Sequence, residues 1–167
     1  MGELVSLDFE LILPGEDSLN YGKLAKVILY DQIGKNHLPV PCKKIKEGYL
    51  NLDGRHRLIL WYLKGESAAE VYVAENKSDS LHSTNPGGLV QDALTYQRWD
   101  LAEIKWRGTM GVNFPEHFDD LKKRYPFLSS YDLTVSTLKE GGWFNRDLSY
   151  VIDVLGPKIV RPGKWTP

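Results

Sequence analysis

The sequence predicts an α/β (α+β) fold: a mixed sheet with helices over residues 1–76, and a mostly helical extension over 89–167 that packs on it. Three observations carry this expectation. Short alternating or apolar runs at 4–13, 40–45, 49–52 and 69–74 have strand length, and stretches at helical spacing lie between them. The composition then shifts at Lys77–Gly88 (KSDSLHSTNPGG), a polar segment rich in turn formers that reads as a loop. Beyond it, Leu89, Ala93, Tyr96, Leu101, Ile104 and Trp106 recur at helical rather than strand spacing.

The elements follow in order. LVSLDFELIL (4–13) reads as an opening strand, broken by Pro14-Gly15-Glu16-Asp17. Ser18 is the expected cap of a helix over 19–33, and Gly34 its left-handed terminator. A strand from Val40 to Ile45, a turn at Glu47-Gly48 and a strand from Tyr49 to Leu52 form an expected hairpin. A helix over Arg55–Leu63 stops at Lys64-Gly65, and AEVYVA (69–74) returns as a strand. Leu89–Met110 is expected to be helical. Pro115–Tyr125 has proline at a helix start and acids before bases, which complements the helix dipole. Ser130–Lys139 reads as a further helix or partly as a strand, Asp147–Leu155 as another apolar segment ended by Gly156-Pro157, and the basic, proline-punctuated tail Lys158–Pro167 as extended.

Composition excludes several classes. The 167 residues are 42% hydrophobic and 26% charged, values of a folded chain able to bury an ordinary core. A net charge of −1 provides no global field for long nucleic acid. The single cysteine, Cys42, excludes a disulfide framework or a cysteine-built zinc site. His82 and His117 stand apart from other ligand types. No apolar run approaches the ~20 residues that cross a bilayer, and the opening MGELVSLDFE is no signal peptide, so a cytoplasmic protein is expected.

The most informative segment is Asp53-Gly54-Arg55-His56-Arg57-Leu58, where a strand gives way to an apolar helix. A helix N-terminus offers unpaired N–H groups and partial positive charge, which suit an anion. Two arginines and a histidine converge there, so the segment reads as a phosphate-binding turn. Gly54 permits close approach, Arg57 is suited to bidentate phosphate contact, and His56 to a donor role. Arg55 points either to the ligand or to solvent. Asp53 repels phosphate unless a divalent metal such as Mg²⁺ bridges the two. Otherwise it serves as a base, a partner for a sugar hydroxyl, or a structural cap. In the second half, Trp99, Trp106, Trp143 and Trp165 interleave with Arg98, Arg107, Arg146 and Arg161, a pattern of base stacking or of buried tryptophans.

The order strand, Asp-Gly-x-His-Arg-Leu, apolar helix resembles the ParB/sulfiredoxin superfamily. The resemblance extends upstream through the helix over Leu19–Ile33, the Gly34-Lys35-Asn36-His37 loop and Leu38-Pro39-Val40-Pro41, and runs on to Asn76. It implies a nucleotide (ATP, ADP or CTP) held at Gly54, Arg55, His56 and Arg57. The free serine kinases of this superfamily carry an Asp-Gly-His-His-Arg turn, which residues 53–57 match at four of five positions. An early acidic residue serves the substrate hydroxyl in those kinases, and Glu16 lies near that place. The resemblance thus implies Asp53, His56 and Glu16 as catalytic residues, Mg²⁺ on Asp53, and a small hydroxylic substrate. Departures narrow the choice. Arg55 stands where sulfiredoxins place a reactive cysteine, and Glu75-Asn76 lacks the arginine of the second ParB box. The expected function is a Mg²⁺-dependent small-molecule kinase or nucleotide hydrolase. The alternatives are a non-catalytic DNA- or protein-binding accessory factor of a mobile element and a ParB-like nuclease.

Overall fold

The opening run from Leu4 to Leu13 is two strands rather than one, and the break shapes the sheet. A computed structural model describes residues 2–32, 38–79 and 88–129. In it β1 (Glu3–Asp8) leads through a 3₁₀ turn at Phe9–Leu11 into β2 (Ile12–Leu13). The five strands run in the order β1-β5-β3-β4-β2, so β1 and β2 occupy opposite edges. Four strand spacings of a flat sheet cover about 19 Å, whereas the four residues from Asp8 to Ile12 reach at most about 14 Å. The sheet therefore curls until its edges approach, and Phe9 at the break turns into the core, 3% exposed.

Helix α1 (Tyr21–Gln32) buries Leu24, Ala25, Ile28 and Leu29, the spacing of one helical face. Its cap is Asn20, whose Oδ1 accepts from the Lys23 N–H at 2.9 Å, not the expected Ser18. Gly34 lies outside the described residues. Strands β3 (Val40–Ile45) and β4 (Gly48–Asn51) form the hairpin, with Ile45 opposite Gly48. The two loop residues are accordingly Lys46-Glu47, one position earlier than expected. Helix α2 (Arg55–Leu63) then crosses to β5 (Ala68–Ala74), which pairs parallel with β3 and antiparallel with β1. The short β2 pairs parallel with β4, so the sheet is mixed, as expected.

The second half is helical as far as it is described. Helix α3 (Gly88–Lys105) closes in a π-helical turn at Trp106–Met110, with Gly111 at φ 61° ending it. Helix α4 (Phe114–Arg124) is capped by Asn113, whose side chain accepts from the Glu116 N–H at 3.1 Å. Pro115 sits in its first turn and Lys122, Lys123 and Arg124 in its last, so the charges follow the dipole. The segments Ser130–Lys139 and Asp147–Leu155 and the tail lie outside the described residues.

Alternation along the strands builds a core on each face of the sheet. On one face Phe9, Ile12, Val40, Cys42 and Val71 pack with α1, α2 and the α4 residues Phe114, Phe118 and Leu121. On the other, Leu13, Leu50 and Leu52 pack with Ala102 of α3 and Trp106 of the π-helical turn that follows it. The helical half thus contributes to both cores. Among the described residues no helix is long and apolar enough to cross a membrane.

Candidate anion-binding site

The turn after β4 is held by its own chain. The Asn51 side chain donates from Nδ2 to the carbonyls of Pro41 (3.3 Å) and Asp53 (2.7 Å), fixing the path of the turn. Gly54 adopts φ 77°, ψ 25°, a left-handed conformation that favours glycine, and its carbonyl accepts from the N–H groups of Arg57 and Leu58. A Cβ there would lie 2.4 Å from the Arg57 guanidinium and 2.7 Å from Val40 Cγ1. The glycine is therefore required by its neighbours as well as by its backbone angle.

Arg57 folds back over Gly54 instead of extending to solvent. Its Nη1 donates to the carbonyl of Leu38 at 2.6 Å and more weakly to that of Pro39 at 3.4 Å, clasping the lead-in to β3. Burial draws its basicity below the ordinary arginine value, with the nearby Asp53 charge opposing that shift. His56 is buried, and its Nε2 accepts from the Asn20 N–H at 3.1 Å. That bond ties the start of α1 to the start of α2 and leaves the ring proton on Nδ1. Desolvation, then the charges of Arg55 and Lys23, push the His56 pKa down to about 3, so the ring is neutral near pH 7.

Glu16 lies across the turn from Arg55. Its Oε2 accepts from Arg55 Nη1 at 2.5 Å, while Oε1 pairs with Arg98 of α3. The preceding Gly15 is wedged between β4 and α3, since a Cβ there would meet the Asn51 carbonyl at 2.2 Å and Ala102 Cβ at 3.1 Å. The next residue, Asp17, pairs with Arg124 of α4 at 2.9 Å. Asn20 then bonds to His56, so the β2–α1 loop is pinned by three helices. The Asp53 carboxylate has no hydrogen bond or ion pair among the described residues, although its charge acts on Arg55 and Arg57.

These groups border one cleft of ≈ 380 Å³. All six residues singled out in the sequence line it: Glu16, Asp53, Gly54, Arg55, His56 and Arg57. The structure adds Lys23, Lys26 and Arg98, and an apolar wall of Val27, Tyr30 and Leu52. Lys23 and Lys26 project from the first turns of α1, and their helical spacing after the Glu16 loop is the signal that places them on the cleft. Arg98 arrives from α3, far along the chain, and no local pattern reveals it. Five basic side chains (Lys23, Lys26, Arg55, Arg57, Arg98) thus face two carboxylates, in a chain whose net charge is −1. Such a concentration of one sign in a concave surface focuses potential on an anion.

The chain matches no protein-family model and no curated protein. Among the described residues no three of His, Cys, Asp and Glu gather in a set able to hold a metal. With Glu16 bound to two guanidiniums, Asp53 is the remaining carboxylate on the cleft. The donors therefore do not fit a metal held by the protein alone. Two other sequence candidates are otherwise engaged. Trp106 is buried with its Nε1 donating to the Val112 carbonyl at 2.8 Å, so it presents no face for base stacking. Arg107 pairs with Glu47 and Glu103 on the surface. Trp143, Trp165, Arg146, Arg161 and His82 lie outside the described residues. Cys42 is fully buried, and desolvation pushes its thiol up to about 12, which makes it an inert core residue.

Proposed function

We propose that this cleft binds a phosphorylated small molecule, with a nucleotide as the preferred class. The observation that carries the reading is the excess of five basic side chains over two carboxylates around one concavity at the start of two helices. Lys23 and Lys26 stand at its rim without a carboxylate partner among the described residues, available to phosphate oxygens. The first N–H groups of α2, at Arg55 and His56, have no partner within the helix and add to the same field. Val27 and Tyr30, backed by the buried Leu52, offer an apolar surface on which the flat part of a nucleotide can rest.

In this reading the fold is of the ParB/sulfiredoxin type, and the turn at 53–57 is its phosphate-facing element. Phosphoryl transfer is the proposed chemistry, driven by positioning and charge neutralisation. The oxygen of a hydroxyl or of water bonds to the terminal phosphorus, the bond from that phosphorus to its bridging oxygen breaks, the shortened nucleotide leaves and the acceptor's proton passes to solvent. Asp53 would orient the nucleophile. His56, neutral and bonded through Nε2 to α1, holds the two helix starts together rather than delivering a charge. Any Mg²⁺ would arrive with the phosphorylated ligand and supply neutralising charge; the role given to Asp53 does not depend on it.

Calorimetric titration of the intact chain with ATP, CTP and pyrophosphate tests the binding claim. The K23E/K26E variant reverses the two rim charges while leaving the core untouched, and it is expected to weaken binding by more than about tenfold. Unchanged affinity in that variant would remove the cleft as the site. Steeply salt-dependent binding of duplex DNA, with no response to nucleotide, would instead support the accessory-factor reading.

A further inference from the structure

Glu16 occupies a place in the cleft where two guanidiniums converge. Its carboxylate lies between Arg55 and Arg98, contacting one with each oxygen, as a bidentate anion does. The arrangement is built by the fold. Gly15 fixes the backbone of the loop against Asn51 and Ala102, and Ala102 lies one turn beyond Arg98 on the same face of α3. The side chains are largely shielded from solvent, at 14% exposure for Arg55, 22% for Glu16 and 28% for Arg98. Even so, Arg55 is incompletely satisfied, because its Nε is buried with no hydrogen-bond partner. A buried donor left unpaired costs free energy that a differently placed acceptor would recover.

We propose that Glu16 is a placeholder for an anionic group of the ligand. Arg55 and Arg98 form a second anion seat beside the rim lysines. A ligand carrying two linked anionic groups, such as a diphosphate, displaces the Glu16 carboxylate from it. This rests on the cleft being the phosphate site and specifies how that site discriminates. A single phosphate reaches the rim without disturbing Glu16, whereas a second phosphoryl group must compete with a carboxylate of the chain itself. Displacement also breaks the Glu16–Arg98 pair between the loop and α3, so binding and that contact are linked.

The test compares orthophosphate and pyrophosphate binding by calorimetry in the wild-type chain, E16Q and R98M. Removing the competing charge in E16Q is expected to tighten pyrophosphate by about tenfold, with a smaller effect on orthophosphate. R98M is expected to weaken pyrophosphate more than orthophosphate. In the E16Q/R98M double variant the gain from E16Q should shrink, since both changes act on one seat. If wild type binds pyrophosphate and E16Q binds it equally or less well, Glu16 supports the arginines and the placeholder idea is overturned while the cleft stands. If E16Q does not fold by circular dichroism, R98M decides alone, and unaltered pyrophosphate affinity there overturns the proposal. If neither pyrophosphate nor ATP binds the wild type, the cleft reading falls and takes the placeholder with it.

Discussion

Gly54 illustrates how a residue chosen for one reason can be required for another. Its sequence context suggests close approach to a ligand, while its φ of 77° and the 2.4 Å from a notional Cβ to Arg57 show the demand of the fold itself. Gly54→Ala is expected to lower stability by about 1–3 kcal/mol, from left-handed backbone strain and displacement of Arg57, measured by chemical denaturation. A variant as stable as wild type would refute that packing. Arg57 teaches the companion lesson. The donors that suit phosphate equally suit the carbonyls of Leu38 and Pro39, and sequence does not reveal which partner is nearer. His56 gives a pH prediction. Its folded pKa of about 3 lies below the unfolded value near 6.5, so the unfolded chain takes up the proton first on acidification. The stability it protects is complete above pH 6.5 and is lost as pH falls toward 3, at up to about 1.4 kcal/mol per pH unit. His56→Gln keeps an acceptor for Asn20 without the titration, and its melting temperature should fall less steeply over that window. An equal slope in both proteins would mean that His56 is not the buried neutral group described.

At the scale of elements, the β2–α1 loop organises the site. It is short, yet Gly15 is fixed by β4 and α3, Glu16 by Arg55 and Arg98, Asp17 by Arg124 and Asn20 by His56. Sequence identifies Pro14-Gly15-Glu16-Asp17 as a break and Glu16 as a candidate, because turn formers have a local signature. It does not identify what the break packs against, since those partners lie on α3 and α4. Gly15→Ala is expected to push the loop from Asn51 and cost about 1–3 kcal/mol, with pyrophosphate affinity changing alongside stability. Loss of stability with binding untouched would separate the loop from the site. The single strand expected over 4–13 fails for a related reason. Alternation marks the residues as extended, but the sheet order that sends β1 and β2 to opposite edges is a long-range property.

On the scale of the whole molecule, charge is distributed against its average. A net charge of −1 gives no hint of a basic cavity, because most of the acids lie elsewhere and four of the cleft's five bases come from the first turns of α1 and α2. The helical half closes both faces of the sheet, through Phe114, Phe118 and Leu121 on one side and Ala102 and Trp106 on the other. Arg98 comes from that half, so the cleft is completed by a region that composition alone presents as an appendage. The local elements and the turn at 53–57 were legible because periodicity and glycine punctuation are local. The membership of Arg98, and the inward engagement of Glu16 and Arg57, were not, because they depend on how distant elements pack.

The measurement that bears most directly on the central claim is a thermal-shift series on the intact chain and on K23E/K26E, against ATP, ADP, CTP, GTP and pyrophosphate, with and without Mg²⁺. A ligand at 100 times its dissociation constant stabilises by about 2.7 kcal/mol, a clear rise in melting temperature. A phosphate-binding cleft gives such a rise for at least one phosphorylated ligand in the wild type and loses it in the charge-reversed variant. No rise with any of them, or an equal rise in both proteins, would contradict it.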